Sequence, residues 1–455
     1  METTLTDLLK TFEIEENKIV NNTVNKLSDT QIVNDLLKKI DIIKNQILDL
    51  FNMQRDIEEF YDEHITIPNA NAKKNYEYRF DLEKFPNIII SDIRNLDSVG
   101  LVFDQATMII SGIPTNANTI ELDLVFYNKM DETQKEEVKT IPFIVNADPK
   151  DLWKNLPSDQ TQKYAKADND SFYGDFLDKK IVIASKRGRS HAHEGSFRED
   201  HFKTKNLPLN WSIIAVADGA GSAKFSRQGS KIATESIVSN LSNENDLERL
   251  SDLIETYYTN DNPLNTKSEI INILYKAVRN VHTELNDFAT KSEIQLKDFS
   301  TTLIFTLAKK FDFGYIILNF GVGDCPINLI SKNLDKVDLL NTLDVGDFGG
   351  GTRFITMPEI FNETMASRFG ISKYDDFSKL VLMTDGIYDA KFVTENQLEK
   401  IETWKHFIAD LEGENEDHIK VDFLNTNGAI KEQLLDWMDF WSKGNHDDRT
   451  LAIIY

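Results

Sequence analysis

The stretch WSIIAVADGAGSAKFSRQGSKIA, residues 211–233, decides how the larger part of this chain is read. Ile213 to Ala217 form an uninterrupted apolar run, the pattern of a short buried strand. Gly219 and Gly221 break it, and from Arg227 to Leu241 a helical pattern places Ala233, Ile237 and Leu241 on neighbouring turns. Asp218 therefore sits where a rigid strand gives way to a tight turn. A carboxylate there is partly desolvated, which raises its pKa unless a cation holds it ionised. The stretch alone leaves two readings open: an acid that caps the following helix, or an acid that binds a metal.

The same pattern recurs downstream. Asp324 follows GYIILNFGVG, Asp385 follows KLVLMT and Asp447 precedes DRTLAIIY, while Glu199 and Asp200 close SHAHEGSFRED. Acids at the ends of several strands repel one another if those ends converge, unless cations lie between them. Oxygen ligands with no His or Cys cluster suit magnesium or manganese rather than zinc. Metal binding is thus favoured over capping for Asp218 and Asp385. Asp447 and Glu199, taken alone, read as surface-turn residues.

In order and spacing, VADGAGSAKFSRQGSKIA, FSTTLIF, FGVGDCPI, LVLMTDGIYDA and HDDRTLAIIY resemble the metal-dependent protein phosphatases of type 2C. SHAHEGSFREDHF resembles their bacterial branch. The resemblance covers residues 179–455. It implies an α+β fold, a sandwich of two antiparallel sheets flanked by helices (αββα), with two Mn2+ or Mg2+ ions at one end. It further implies that Asp218 bridges both ions and that the Gly219 carbonyl reaches one. Glu199 then serves the second metal, Asp200 holds a metal-bound water, and Asp385 and Asp447 complete the first. Asp324 and Asp389 match acids of a weaker third metal site; their plain alternatives are bracing a turn and starting a helix. The implied chemistry is direct hydrolysis of phosphoserine and phosphothreonine by water activated between two cations roughly 3.5–4 Å apart. Other phosphatase and nucleotide chemistries fit poorly. Cys325 is followed by Ser331 where a cysteine-based phosphatase needs Arg, and GAGSAKFS lacks the GK[ST] ending of a P-loop.

Two positions depart from the family pattern. Ala220 stands where many members carry a His that donates a proton, and Gly195 stands where the phosphate-binding Arg is expected. Arg187, Arg189 and His191 are the replacement candidates, with a solvated basic loop as the alternative. Residues 344–356 (DVGDFGGGTRFIT) resemble the flap beside the site. GGG implies mobility there, and Arg353 is placed to close on substrate or simply to stay exposed.

The rest of the chain bounds these readings. Its 455 residues suggest two or three domains. A formal charge of −24 argues against nucleic-acid binding. The single cysteine fits a reducing, cytoplasmic setting. The start lacks signal-peptide character, and no run has the length of a membrane span. Residues 1–70 read as helical: Ser28 and Gln31 form a capping-box pattern, and an apolar stripe runs from Val33 to Ile57. That stripe packs on its own protein or, as a second reading, forms a self-associating coiled coil. Residues 71–150 change to period two and suggest a small β-sandwich, immunoglobulin-like, with a binding or spacer role. Residues 151–178 are polar and aperiodic and read as a connector. The function expected is a serine/threonine protein phosphatase with phosphoprotein substrates and, by family analogy, a partner kinase. The alternative is a weak or inactive phosphatase-like scaffold whose N-terminal modules bind a partner.

Overall fold

The computed structural model describes residues 4–259, 263–344, 351–424 and 428–455. The chain divides into two compact units, Met1–Leu152 and Trp153–Tyr455.

The first unit begins with helices α1 (Leu5–Lys10), α2 (Lys18–Ser28) and α3 (Gln31–Asp62). The apolar stripe from Val33 to Ile57 lies on the single helix α3, but the Ser28 capping box is not formed. Ser28 ends α2, and Thr30 takes the N-cap of α3 without a side-chain hydrogen bond. Seven strands follow: β1 (Ala70–Asn71), β2 (Tyr76–Arg79), β3 (Ile88–Arg94), β4 (Leu101–Asp104), β5 (Ile109–Gly112), β6 (Asn118–Asn128) and β7 (Glu137–Asn146). They form a four-stranded sheet, β1-β7-β6-β3, and a three-stranded sheet, β2-β5-β4. A boundary at residue 70 cuts through their common core, because Ile57 and Phe60 of α3 are buried in it with Phe85 and Phe126. Lys139 of β7 fastens the end of α3. Its ammonium donates to the carbonyls of Phe60 at 3.0 Å and Tyr61 at 2.6 Å and also to that of Glu63, placing a cation at the negative end of the helix.

The second unit carries strands β8 (Asn169–Phe176), β9 (Lys179–Lys186), β10 (His201–Asn206), β11 (Trp211–Ala217), β12 (Leu303–Phe311), β13 (Gly314–Val322), β14 (Ile327–Ser331), β15 (Val337–Leu339), β16 (Phe369–Tyr374), β17 (Phe377–Met383) and β18 (Arg449–Ile454). Its helices are α4 (Arg189–Glu194), α5 (Ser226–Asn240), α6 (Glu244–Thr259), α7 (Pro263–Lys291), α8 (Asp385–Phe392), α9 (Ile401–Leu411) and α10 (Ile430–Trp437). The connector reading of 151–178 fails in its second half, since β8 is the edge strand beside β9.

One five-stranded sheet runs β10-β11-β12-β13-β16 and one six-stranded sheet runs β15-β14-β17-β18-β9-β8. Strand β11 shows why its sequence is apolar without alternation. Ile214 and Val216 pack with Ile183, Ile327 and Leu382 of the other sheet. Ile213, Ala215 and Ala217 pack instead with Ile237 of α5 and Leu274 and Val281 of α7. Val381, Met383, Leu451 and Ile453 likewise meet Trp404 of α9 and Trp437 of α10. Strands buried on both faces need apolar residues at successive positions.

Helix α5 lies so close to the 296–299 turn that a Cβ on Gly229 would stand 1.9 Å from the Phe299 carbonyl oxygen. Alanine is the better helix former by about 1 kcal/mol, yet Gly229→Ala is expected to destabilise by roughly 1–3 kcal/mol through overpacking. Denaturant unfolding of the two proteins decides the sign.

Candidate active site

Strand register brings the acids together. His201, just after Glu199–Asp200, pairs with Ala217, just before Asp218. Leu303 at the start of β12 pairs with Val322, two residues before Asp324. In the other sheet Met383, two residues before Asp385, pairs with Leu451, four after Asp447. Antiparallel pairing thus places every one of these acids at one end of its sheet. Links across the sheets join the two ends: Asp200 Oδ2 accepts from Thr384 Oγ1 at 2.8 Å and from Thr450 Oγ1 at 2.7 Å.

Asp218 does not cap a helix. The N-cap of α5 is Phe225, and the Asp218 backbone is fixed instead by Thr301 and Thr302, whose hydroxyls lie 2.8 Å from its carbonyl and its amide. Burial pushes the Asp218 carboxyl well above its usual range, and Asp385, Asp200, Asp447 and Asp324 add to the shift. Asp385 is raised in the same way by burial and then by Asp447, Asp324 and Asp200. Burial carries Glu199 and Asp200 each to about 7. Glu199 Oε2, Asp200 Oδ1, Asp324 Oδ1 and Asp385 Oδ1 are all buried without a hydrogen-bond partner. Unpaired carboxylate oxygens converging in a buried site are costly unless cations lie among them.

The donor set fits hard divalent cations. His191 lies near Asp447 and Asp448, and Cys325 near Asp218 and Asp324, so the acids are not as free of His and Cys as their spacing suggested. Both remain poor ligands. Burial drives the Cys325 thiol well up, with Asp218 and Asp324 adding to it, and His191 gives Nδ1 to Asp448. Oxygen donors therefore dominate. Gly219 is buried between Glu199 and Ser226, where a Cβ would come within 2.9 Å of both. Asp324 accepts from Thr352 Oγ1 at 2.8 Å, which ties it to the described part of the 344–356 flap segment. Asp389 is exposed on α8 and is the fifth residue of that helix, not its start.

The basic candidates are largely committed elsewhere. Arg187 is buried and donates to Ser196 O, Asn155 Oδ1 and Leu156 O. Arg189 donates to the Asp439 carbonyl at 2.6 Å and lies over Trp441. Both hold loops and neither is directed at the acids. His191 does reach the site, with Nε2 3.8 Å from Glu199 Oε2. Burial alone would lower its pKa, but Asp448 beside it raises it to about 10. Arg353 is exposed, and residues 345–350 of the expected flap lie outside the described residues.

Several residues went unnoticed in the sequence. Asp448, second of the DD pair, is buried and accepts from Gly188 N at 2.6 Å, His191 Nδ1 at 2.9 Å and Glu199 N at 2.5 Å. Gly188 and Gly386 make room for it: a Cβ on either would stand 2.0–2.4 Å from the Asp447–Asp448 backbone. Behind Asp200, hydrogens run in one direction. Arg198 Nη1 donates to Ser185 Oγ, so Ser185 donates to Thr450 Oγ1 at 2.6 Å, and Thr450 donates to Asp200. Lys166 Nζ donates to the Asp200 carbonyl at 2.6 Å. The doubled acid DD and the Thr before Asp385 were the visible signals.

The metal-free centre is expected to lose stability as pH rises. Glu199 and Asp200 have folded pKa values above their unfolded ones, so their stabilising protonated forms are complete near pH 4 and disappear as pH passes about 7. His191 has a raised pKa too, and its contribution also declines above its unfolded value. Asp448 is lowered, and its opposing effect falls below the ordinary carboxylate range. His201, lowered by burial to about 2, opposes the trend up to its unfolded value, and Lys166, lowered by burial, opposes it at higher pH. Asp218 and Asp385, raised like Asp200, add to it. In EDTA the unfolding midpoint should therefore fall between about pH 5.5 and 8, and Mn2+ or Mg2+ should reverse the loss. A midpoint in EDTA that rises over this range would contradict the geometry.

Comparison with known proteins identifies the family. The family model for protein phosphatase 2C matches residues 187–438. Among solved structures, the chain is similar to the Streptococcus agalactiae serine/threonine phosphatase, at 16% identity and a TM-score of 0.37, over 60% of this chain and 98% of that one. It is similar to the serine/threonine phosphatase Stp1 of Staphylococcus aureus, at 16% identity and 0.35, over 64% and 98%. It is also similar to RsbX in complex with magnesium, at 15% identity and 0.34, over 63% and 98%. No curated protein matches. With more than half its length matched to the family, this chain belongs to the protein phosphatase 2C family.

Proposed function

We propose that the chain is an active phosphatase for phosphoserine and phosphothreonine in proteins, using Mn2+ or Mg2+. The observation that carries this reading is the group of buried carboxylate oxygens without partners at Glu199, Asp200, Asp324 and Asp385. Glu199, Asp218, Asp385 and Asp447, with the Gly219 carbonyl, would hold two cations, and Asp324 and Asp389 a weaker third. Bound cations supply water activation and neutralise phosphoryl oxygens. Asp200 keeps Oδ2 occupied by two hydroxyls and leaves Oδ1 as the acceptor for the attacking water. His191, held through Nδ1 by Asp448, is our candidate to give the leaving oxygen its proton in place of the side chain absent at Ala220. Substrates on this reading are cytoplasmic phosphoproteins, and the opposing enzyme is a protein kinase. The β strands of the first unit are read as an immunoglobulin-like binding or spacer module.

Phosphate release from phosphothreonine and phosphotyrosine peptides tests the reading. Turnover should favour phosphothreonine, stop in EDTA, return with Mn2+ or Mg2+, and fall on the order of a thousandfold in Asp385→Ala. Retained peptide binding without turnover under any metal would leave the scaffold reading standing.

The hydroxyls behind Asp200 give a separate test. Thr450→Val should lower kcat by roughly 10–100-fold with KM little changed, and Thr450→Ser should restore it. Equal kcat in all three proteins would remove Thr450 from the site's positioning.

A further inference from the structure

Helix α3 carries a feature that the phosphatase reading does not use and that stands independently of it. Val33, Ile40 and Ile47 alternate with Leu36, Ile43 and Leu50 at steps of three and four, an unbroken a/d heptad seam, and Gln54 takes the next a position. The C-terminal end of the helix is already covered, since Ile57 and Phe60 are buried in the unit's own core. The rest of the seam is open. Leu36 is 52% exposed, Ile43 54%, Ile47 62% and Leu50 61%, flanked by Ile32 at 74% and Phe51 at 61%. Helix α2 contacts α3 but leaves this face bare, with only Val33 and Ile40 of the seam half-buried.

From Ile32 to Phe51 the helix rises about 30 Å, and at a width of about 10 Å the strip projects to roughly 300 Å². That is within the range of the largest apolar patch on an ordinary monomer, which is often functional. The composition selects the occupant. Val and Ile at three of the four a positions, with Leu at two of the three exposed d positions, is the arrangement that favours two parallel strands, and the single polar residue at a, Gln54, fixes their register. In parallel register each seam residue meets its own copy, so the surface is complementary to itself without a foreign partner.

We propose that α3 pairs in parallel with the α3 of a second copy of this chain, making a dimeric coiled coil over residues 32–54. This pairing brings Lys39, at g, opposite Lys44 of the second copy, at e. Repulsion between those lysines is screened by salt, so the dimer should tighten as ionic strength rises.

Sedimentation of the full chain tests this directly. The wild type should weigh as two chains and associate more tightly in high salt than in low. Ile43→Glu with Ile47→Glu should raise the dissociation constant at least about a hundredfold by burying charge in the seam, with circular dichroism and unfolding midpoint unchanged at dilutions where the wild type is itself monomeric. A short bismaleimide should join Ile47→Cys to its own copy and leave Asp49→Cys, at an outward position, unjoined; the native Cys325 is buried. A chain that stays monomeric at high micromolar concentration overturns the proposal, whether or not it floats with anionic vesicles. So does a dimer that survives the double glutamate variant, or one cross-linked equally well through Asp49→Cys.

Discussion

Mutual repulsion among buried carboxylates is the constraint on which the second unit depends. Asp218 and Asp385 each lie within the field of Asp447, Asp324 and Asp200, and burial removes the water that would screen them. A fold that gathers these groups opposes its own stability unless something positive joins them. The short backbone bridge between Gly219 and Thr301, which extends the β11–β12 pairing, and the hydroxyls of Thr384 and Thr450, which join the two sheets at Asp200, hold the acids in place against that repulsion. Rigidity here is an electrostatic requirement before it is a catalytic one.

Asp448 shows how the burden is divided. It sits among the same acids, yet its carboxyl stays below the usual range, because His191 and the backbone amides of Gly188 and Glu199 all donate to it. The other member of the DD pair, Asp447, accepts from the Asp448 amide at 2.8 Å, and burial and Asp448 raise its carboxyl above the usual range. Asp448 is saturated and joins the loop before α4, the loop before β10 and the start of β18. Two adjacent residues of the same type thus do opposite work, and only the close approach permitted by Gly188 and Gly386 separates their roles.

What was legible in the sequence follows from the same physics. Ile213 to Ala217 could be read as a strand because both faces are buried and no polar residue interrupts them. The strands β8 and β10 could not. Each lies at a sheet edge with polar residues such as Asp170, Asp175, Lys203 and Lys205, and each looks like a loop until its partner is known. The acids beside glycine were visible one by one, but their convergence depends on register between strands far apart in the chain. Arg187 was read as a replacement for the missing phosphate-binding Arg, with a solvated loop as the alternative, and it is neither free for substrate nor solvated. Nothing local indicates that three oxygens from residues 155, 156 and 196 surround it.

The aromatic side chains next to the ligand loop carry a consequence of their own. His446, immediately before Asp447, lies between two indoles, with ring centroids 4.4 Å from Trp153 and 4.8 Å from Trp441. Trp153 is the residue at which the second unit begins. Any ordering of the Asp447 loop alters the surroundings of both indoles, so the protein carries a built-in optical reporter. Its intrinsic emission should register the state of the acidic centre without a label and without a substrate.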